Sequence, residues 1–390
     1  MRLEVAEMSE HSSILRVVLR NYKSIRDCDV PLGPITFLVG PNGAGKSNFL
    51  EALRFLSYGL DNSLERANES RSGFRSIVHR GADRVSFEVL LRLGDDETGN
   101  YLVEIGAIQD SPPTVLREEC SVQSPRGSAW FKVHRGAVTS NQGLTPAVSA
   151  GNLYLVKASG LPAFEPVYRA LSNITVYNFV PDEIRGFKPE KRYMTLDRSG
   201  SALAETIFRL KHSDPERLAR VTDYLRRLNP SVLAIGAYCL DANYTLRLGL
   251  GSGGVRDEFP TQNISDGTLR ALAVLVALFQ KSDRNPTLIG IEEPEAGLHP
   301  AAAAVLFDSL MEGNQFRQVV VTSHSPDLLD REDIPENSLK AVAMCEGRTI
   351  IGEVDEAGKA ALKERLYTAG ELMRMDQLRP EGAPDCANAR

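Results

Sequence analysis

One segment determines the architecture expected for this chain: Gly40-Pro41-Asn42-Gly43-Ala44-Gly45-Lys46-Ser47. It follows an apolar run at 35–39 and precedes a segment whose apolar residues recur at helical spacing. The spacing of the glycines, the lysine and the serine matches a P-loop, in which backbone N–H groups face phosphate oxygens. The sequence therefore predicts a phosphate-binding loop between a buried strand and a helix.

Two side chains of this loop carry specific chemistry. We expect Lys46 to reach the β- and γ-phosphates of ATP and the Ser47 hydroxyl to bind Mg²⁺. The helix that begins near Lys46 adds the positive end of its dipole. The predicted nucleotide contacts of the loop are therefore Asn42, Gly43, Ala44, Gly45, Lys46, Ser47 and Asn48, with Lys46 also acting in catalysis and ATP and Mg²⁺ as the cofactors.

A second apolar run, at 287–291, ends in Glu292-Glu293-Pro294-Glu295. Carboxylates at the end of a buried strand are costly unless a cation faces them. We expect Glu292 to hold Mg²⁺ and Glu293 to orient the water that attacks the γ-phosphate. A solvated acidic turn is the alternative interpretation of this segment.

A third apolar run, at 318–322, leads to Ser323 and His324. Sites in α/β sheets lie at the carboxyl ends of the strands. We therefore expect His324 to bind the γ-phosphate as a catalytic residue beside Glu293, with a purely structural histidine as the alternative.

The composition narrows the class of protein. The 390 residues suit one large α/β domain with insertions or two smaller domains, and the net charge of −6 excludes a uniformly basic nucleic-acid coat. No signal peptide and no apolar run of membrane-spanning length is present, so no membrane association is expected. The five cysteines are far apart and form no CxxC pair, which predicts a cytoplasmic protein without a disulfide framework.

The order of the predicted elements indicates an α/β fold with a mostly parallel sheet and an inserted lobe. A β-hairpin is predicted at 85–108, and helices at 202–228 break near Pro215. Residues 60–80 are interpreted as a mobile loop. The pattern GxGxxG at 249–254 is rejected as a dinucleotide site because no helix is predicted after it. We expect one domain at 12–379, comprising an N-terminal lobe (12–170), a helical insertion (171–230) and a C-terminal lobe (231–379), followed by a tail (380–390).

Several motifs together resemble those of the ABC-type ATPases, and within them the RecF/SMC-like, AAA_21-like ATPases of prokaryotes. In chain order they are Leu19-Arg20-Asn21-Tyr22-Lys23-Ser24, the P-loop, Ser265-Asp266-Gly267, the segment 292–300, and Thr322-Ser323-His324-Ser325-Pro326. The resemblance implies an ABC-type ATPase head with a mixed or parallel sheet, an antiparallel β subdomain and a short helical insertion.

The same resemblance implies a homodimer, or a higher assembly of dimers, that sandwiches two ATP molecules. Ser265 and Gly267 would contact the γ-phosphate held by the other copy, and Lys23 and Ser24 would approach the nucleotide beside the P-loop. Taken alone, Ser265 is also consistent with an ordinary helix N-cap, and Lys23 and Ser24 with a surface turn.

Three features depart from this family pattern. No glutamine can be assigned as the Q-loop residue. The helices at 202–228 are too short for a coiled-coil arm, which argues against chromosome tethering. The short segment after the last strand leads us to expect no built-in nuclease of the Toprim type.

Two classes of function remain open. The first is a DNA-associated ATPase in DNA repair or anti-phage defence. Two basic clusters offer candidate phosphate contacts; they comprise Arg185, Lys188, Lys191, Arg192 and Arg198, and Arg66, Arg71, Arg75, His79, Arg80 and Arg84. The second is a regulatory ATPase that holds and releases a separate effector protein, a nuclease or a toxin. A small-molecule P-loop kinase is disfavoured because it leaves the Ser265-Asp266-Gly267 motif unexplained.

Overall fold

The structure is a computed structural model that describes residues 12–106, 113–125, 127–143, 148–149, 151–186, 196–240, 243–252, 255–280 and 286–384. Within these residues the chain forms three sheets, with α-helices packed between and against them. The fold is α/β, as the alternation of apolar runs and helical patterns predicts.

The central sheet has six strands and carries the residues of interest. Its order is β16 (Arg348–Gly352), β15 (Leu339–Cys345), β3 (Ile35–Val39), β14 (Gln318–Ser323), β13 (Leu288–Glu292) and β9 (Ile174–Tyr177). All neighbours are parallel except β16, which runs antiparallel to β15. Every residue of β3 and β14 is buried, which explains why apolar residues follow one another without alternation at 37–39 and 319–321.

The register of this sheet places three strand ends side by side. Glu292 of β13 pairs with Thr322 of β14, and Ser323 of β14 pairs with Val39 of β3. Because the three strands are parallel, the segments that follow them leave the sheet at one edge. The acidic turn, His324 and the P-loop therefore begin at neighbouring positions.

An antiparallel sheet covers one side of the molecule. Its strands, in spatial order, are β2 (Ile25–Pro31), β1 (Ser13–Tyr22), β4 (Arg84–Arg92), β5 (Thr98–Gly106), β6 (Thr114–Ser124), β7 (Gly127–His134) and β8 (Ala137–Ser140). Helix α1 (Lys46–Asp61) shares one apolar core with this sheet and with the central sheet. Phe55 of α1 stacks on Phe87 of β4 with ring centroids 5.7 Å apart. The helix that follows the P-loop is thus held between two sheets.

A second core lies on the opposite face of the central sheet. It is built by α8 (Asp266–Phe279), which is almost wholly buried, together with α6 (Leu203–Ser213), α7 (Pro215–Leu228) and α9 (Ala303–Gly313). A small antiparallel sheet packs beside these helices, with the order β10 (Val232–Leu240), β11 (Asn243–Ser252) and β12 (Val255–Pro260). The remaining α-helices are α2 (Leu64–Glu69), α3 (Tyr154–Ala158), α4 (Glu165–Ser172), α5 (Pro181–Arg185), α10 (Glu356–Lys363) and α11 (Ala369–Arg374).

Several local predictions can be compared with these elements. The hairpin at 85–108 is present as β4 and β5, and the predicted helices separate at Asp214, whose carboxylate caps α7 by accepting from Arg217 N at 3.2 Å. The GxGxxG pattern begins inside β11 and is followed by β12, so no helix is there to receive a pyrophosphate. The segment 171–230 contributes β9 to the central sheet before its helices begin.

Two expectations were wrong. The segment 60–80 contains α2, which Ser63 caps by accepting from Arg66 N at 3.1 Å, where a loop was expected. Cys345 is disulfide-bonded, although its spacing from other cysteines gave no sign of pairing. Among the described helices, none combines the length and the hydropathy that crossing a membrane requires.

Candidate functional site

The P-loop connects β3 to α1 and depends on glycines in left-handed conformations. Gly43 has φ of 77° and Gly45 has φ of 98°, a region that residues with a Cβ rarely adopt. A Cβ on Gly45 would also lie 1.9 Å from Thr349 Oγ1. Two features therefore exclude a side chain at position 45: the left-handed backbone conformation and the close approach of Thr349 on the neighbouring strand.

Lys46 begins α1 and folds back over its own loop. Its Nζ donates to Gly40 O at 2.8 Å and to Pro41 O at 2.9 Å, and the residue is only 4% exposed. Burial lowers the pKa of Lys46, while the charges of Glu293 and Glu295 oppose that shift. The ammonium group of Lys46 is thus hydrogen-bonded to two neutral carbonyl oxygens, which phosphate oxygens can replace. The charges of Glu293 and Glu295 also act on it.

Other residues predicted to contact nucleotide form a connected group beside the loop. Asn48 Nδ2 donates to Ser24 Oγ at 2.7 Å, and Ser24 Oγ lies 2.6 Å from Thr349 Oγ1. Thr349 Oγ1 in turn donates to Ala44 O at 2.8 Å. Thr349 on β16 therefore ties together three of the predicted residues, and nothing in its local sequence marked it.

Lys23 sits in a strained turn next to this group. Its φ is 49°, its N–H donates to Ile77 O at 2.8 Å, and its carbonyl lies 2.6 Å from His79 Nδ1. The side chain is half-buried, and burial lowers the pKa of its ammonium. Asn42 and Gly43 of the loop and Ser47 of α1 are exposed.

Glu292, the last residue of β13, already has a cationic partner within the chain. Its Oε1 lies 3.2 Å from Arg198 Nη2, and its side chain is 9% exposed. Arg198 also lies 3.9 Å from Glu51 of α1, which pairs with Arg71 at 2.6 Å. The sequence suggested Arg198 as a member of a basic surface cluster, whereas the structure places it against the carboxylate expected to bind metal.

Glu293 occupies a left-handed conformation at the start of the acidic turn, with φ of 45°. Its N–H donates to Thr322 O at 3.0 Å, which attaches the turn to β14. Its Oε1 lies 3.2 Å from His324 Nδ1, and both side chains are partly exposed. The structure thus brings together the two residues predicted to act on the γ-phosphate.

Glu295 is a site residue that the sequence did not single out. It is 8% exposed, and its Oε1 accepts from Ser323 Oγ at 2.6 Å and from His324 N at 3.4 Å. Its other oxygen, Oε2, is buried and has no hydrogen-bond partner among the residues that the structure describes. Burial raises the pKa of Glu295, and the side chain joins the acidic turn to the segment that carries His324.

Ser265 and Gly267 lie at the amino-terminal end of α8. Ser265 caps this helix by accepting from Thr268 N at 3.4 Å, as the alternative interpretation anticipated. A Cβ on Gly267 would lie 2.0 Å from Gly297 O, so the motif is packed directly against the loop after the acidic turn. Asp266 is ion-paired with Arg185.

These residues form two separate groups. The first contains the P-loop, Ser24, the acidic turn and His324; the second contains Ser265, Gly267 and their neighbours. In the part of the chain that the structure describes, no hydrogen bond or ion pair joins the second group to the P-loop.

The first group fits a nucleotide. It offers left-handed glycines, a buried ammonium and a helix N-terminus for phosphates, while Ser47 and Glu292 offer the oxygen donors that Mg²⁺ prefers. No group of three or more His, Cys, Asp or Glu side chains among the described residues could hold a metal by itself. A metal at this site would therefore need phosphate oxygens or water molecules as additional ligands.

The chain is similar in sequence to curated DNA-processing proteins. It is 34% identical over 103 residues to the DNA replication and repair protein RecF of Proteus mirabilis, which covers 26% of each chain. It is 22% identical over 407 residues to the Old nuclease of Escherichia phage P2, covering 93% of this chain and 65% of that protein. The chain thus spans about a quarter of the RecF relative and less than two thirds of the phage protein.

Solved structures show the same fold. One is the SmcHead bound to the C-winged helix domain of ScpA, with a TM-score of 0.53 and 17% identity, covering 87% of this chain and 97% of that one. Another is the Smc head domain with an extended coiled coil from the Pyrococcus furiosus complex, with a TM-score of 0.53 and 14% identity, covering 91% and 99%. The fold of this chain is therefore that of an ABC-type ATPase head.

The sequence profile that matches residues 35–330 describes "AAA domain, putative AbiEii toxin, Type IV TA system". This match includes the P-loop, the Ser265-Asp266-Gly267 motif, the acidic turn and His324. The chain belongs to this family of RecF/SMC-like AAA ATPases.

Proposed function

We propose that this chain binds and hydrolyses ATP with Mg²⁺, and that two copies assemble around two ATP molecules. One observation carries the proposal: the P-loop that leads to Lys46, the acidic turn with Glu292 and Glu293, and the segment with His324 all begin at adjacent ends of parallel strands in one sheet. Families that hydrolyse nucleoside triphosphates need a phosphate-binding cation, a metal ligand and a water-orienting group within one site.

Each residue has a role that follows from its surroundings. Lys46 would exchange its two carbonyl partners for oxygens of the β- and γ-phosphates. Glu293 would orient the attacking water, and His324, whose Nδ1 is 3.2 Å from Glu293 Oε1, would donate to the γ-phosphate. Mg²⁺ held by Ser47 and Glu292 would neutralise charge on the phosphate oxygens. Asn42, Gly43, Ala44, Gly45 and Asn48 would line the phosphates, with Lys23 and Ser24 beside them.

The dimer is supported by the separation of the two groups of residues. Ser265 is exposed at the N-terminus of α8 and Gly267 is buried just behind it, and neither makes a hydrogen bond to the P-loop within the described residues of the chain. A helix N-terminus favours an anion, and a second copy can supply one by presenting its bound γ-phosphate. We also propose that residues 12–379 act as one ATPase domain in the cytoplasm, with the lobe boundaries predicted above.

For the biological role we propose a DNA-associated ATPase in repair or anti-phage defence. The support is the similarity to RecF and to the phage P2 Old nuclease. The basic residues give less support than their sequence positions suggested, because Arg71, Arg185 and Arg198 are ion-paired with carboxylates of the chain. Lys188, Lys191 and Arg192 lie outside the described residues.

The second candidate is a regulatory ATPase that holds and releases an effector protein. The observation that favours it is this internal pairing of the candidate DNA-binding arginines, since paired guanidinium groups contribute little to counterion release on DNA. The family description, which names a toxin–antitoxin system, is consistent with it.

One set of measurements tests both the proposed ATP site and the proposed DNA-associated role. ATP affinity and phosphate release are measured for the parent and for Lys46→Ala, each with and without single- or double-stranded DNA. Lys46→Ala should lose affinity and turnover, and DNA should stimulate the parent. Unchanged ATP affinity in Lys46→Ala would contradict the assignment of the ATP site. A parent protein that hydrolyses ATP at the same rate with and without DNA would favour the effector-holding role.

A further inference from the structure

The hydroxyl group of Ser265 belongs to a short chain of hydrogen bonds that begins at Asn229, just after α7. Asn229 Oδ1 accepts from Ser231 N at 3.2 Å. Because a backbone N–H can only donate, this contact fixes which end of the amide is the acceptor. The amide nitrogen therefore faces the other way, toward Thr268 Oγ1 at 3.1 Å.

The direction of this donor determines where the Thr268 hydroxyl proton goes. Thr268 is 7% exposed, so little of its surface is open to a water that could accept the proton. Its Oγ1 accepts from Asn229 and lies 2.8 Å from Ser265 Oγ. In the described part of the chain, Thr268 Oγ1 makes no further hydrogen bond. The Thr268 hydroxyl must therefore donate to Ser265.

Ser265 Oγ consequently accepts twice, from Thr268 Oγ1 at 2.8 Å and from Thr268 N at 3.4 Å. A serine oxygen has two lone pairs and one proton. With both lone pairs engaged, the proton is left to point away from the helix. Ser265 is exposed at the N-terminus of α8, so this proton faces an anion that approaches the helix end.

We propose that Asn229 and Thr268 are positioning residues that orient the Ser265 hydroxyl as an outward donor to the γ-phosphate bound by a second copy of the chain. The inference rests on the proposed ATP-dependent dimer and adds the residues that prepare its contact. Orientation fixed before binding lowers the entropic cost of forming the hydrogen bond.

The decisive variant is Asn229→Asp, which has nearly the same shape but reverses the chain. An aspartate accepts from Ser231 N as before, and its second oxygen accepts from Thr268 instead of donating to it. Thr268 then has no proton for Ser265, so Ser265 donates inward and the outward donor is lost.

The primary measurement is the dissociation constant of the dimer, from sedimentation with Mg²⁺ and a non-hydrolysable ATP analogue. Asn229→Asp should weaken the dimer on the order of 10²–10⁴-fold, as Ser265→Ala does, since a hydrogen bond to a charged group contributes about 1.5–3 kcal/mol and the symmetric dimer contains two of them. Nucleotide affinity of the isolated chain and its melting temperature should stay close to those of the parent. Thr268→Ser retains the hydroxyl and should dimerise like the parent.

Two double variants separate the proton direction from the added charge and from misfolding. If the charge of Asp at 229 repelled nucleotide, it would weaken the dimer further in the Ser265→Ala background; we expect no further loss. Thr268→Val removes the hydroxyl group through which Asn229 acts on Ser265. The double variant Asn229→Asp/Thr268→Val should therefore have the same dimer dissociation constant as Thr268→Val alone. These comparisons hold even if Asn229→Asp lowers stability.

Failure of the positioning role can be distinguished from failure of the proposed dimer contact. A normal dimer for Asn229→Asp beside a weakened dimer for Ser265→Ala overturns the positioning role and leaves the proposed dimer intact. A normal dimer for Ser265→Ala overturns the contact across the dimer, and the positioning role with it.

Discussion

At the scale of single residues, three glutamates of one turn have three different environments. Glu292 faces the guanidinium of Arg198, Glu293 faces His324, and Glu295 is buried against Ser323. Their sequence positions differ by only three residues, yet the strand end directs each side chain differently. The roles that we propose for Glu292 and Glu293 therefore predict different consequences for the same chemical change.

Glu293→Gln and Glu292→Gln should have opposite effects on the ATP-bound assembly. Glu293→Gln should slow phosphate release by about 10²–10⁴, because it removes the group that orients water. It also removes a negative charge facing the γ-phosphate, so the ATP-bound dimer should persist. Glu292→Gln should weaken Mg²⁺-dependent binding and trap no dimer. Size exclusion with ATP and Mg²⁺, beside a phosphate-release assay, compares the two.

The control for this pair is the melting temperature without nucleotide, because Glu292→Gln also leaves Arg198 without its closest carboxylate. If Glu292→Gln traps the dimer while Glu293→Gln hydrolyses ATP normally, the two roles are reversed. Normal turnover in both variants would show that the acidic turn is not the catalytic edge.

Gly267 predicts a structural effect that is independent of nucleotide. Its Cβ would meet Gly297 O at 2.0 Å, and the atom it meets is backbone, which cannot rotate away. Gly267→Ala should therefore lower the free energy of unfolding by roughly 1–3 kcal/mol through overpacking. Chemical denaturation without ATP measures it, with Gly94→Ala as the control because a Cβ on Gly94 would meet no atom within 4 Å. A fully stable Gly267→Ala protein would contradict the packing of these two loops.

At the scale of elements, sequence patterns predicted the parallel core better than its surroundings. Strands β3, β13 and β14 are covered on both faces, so their apolar runs are unmistakable and their ends identify the P-loop, Glu293 and His324. Thr349 could not be predicted, because its importance comes from β16 lying beside the P-loop, some 300 residues along the chain. The contacts of Arg198, Glu295 and Asn229 were missed for the same reason, because each joins elements that are apart in the sequence.

Strand β6 and helix α3 share a buried carboxylate that predicts a pH dependence. Glu118 accepts from Tyr154 N at 2.6 Å, from Leu155 N at 2.8 Å and from Tyr101 Oη at 3.0 Å. Burial nevertheless raises the pKa of Glu118 to about 7 from 4.5. Between these two values the folded state keeps a proton that the unfolded state has lost.

Stability should therefore fall as the pH rises from about 4.5 to about 7, because the folded state binds more protons in that range. The comparison is with Glu118→Gln, which does not titrate. The difference in free energy of unfolding, parent minus variant, should decrease on the order of 3 kcal/mol across this range. Denaturation at a series of pH values gives the difference, and a flat or rising profile would refute the assignment to Glu118.

At the scale of the whole molecule, the proposed dimer makes one chain half of a working unit. Each ATP site of the proposed dimer takes its P-loop from one copy and its Ser265 group from the other. This arrangement is two-fold symmetric, so both sites are completed by the same interface. It distinguishes the dimer from any scheme in which a single chain closes its own site.

Mixing two inactive variants should restore turnover. Lys46→Ala disables the P-loop, and Ser265→Ala disables the contact offered to the partner. In a mixed dimer both defects fall in one site, while the other site combines the intact P-loop of one chain with the intact Ser265 of its partner. Equal mixing should recover roughly a quarter of parent turnover, because about half of the dimers are mixed and each has one complete site.

Phosphate release is measured at protein concentrations above the dimer dissociation constant, with each variant alone and with Lys46→Ala plus the double variant as controls. The second control cannot form a complete site, so activity there would indicate contamination. If the productive mixture stays inactive although an affinity tag on one variant co-purifies the other, each site must draw Lys46 and Ser265 from the same chain, and the ATP sandwich is the wrong assembly for this protein.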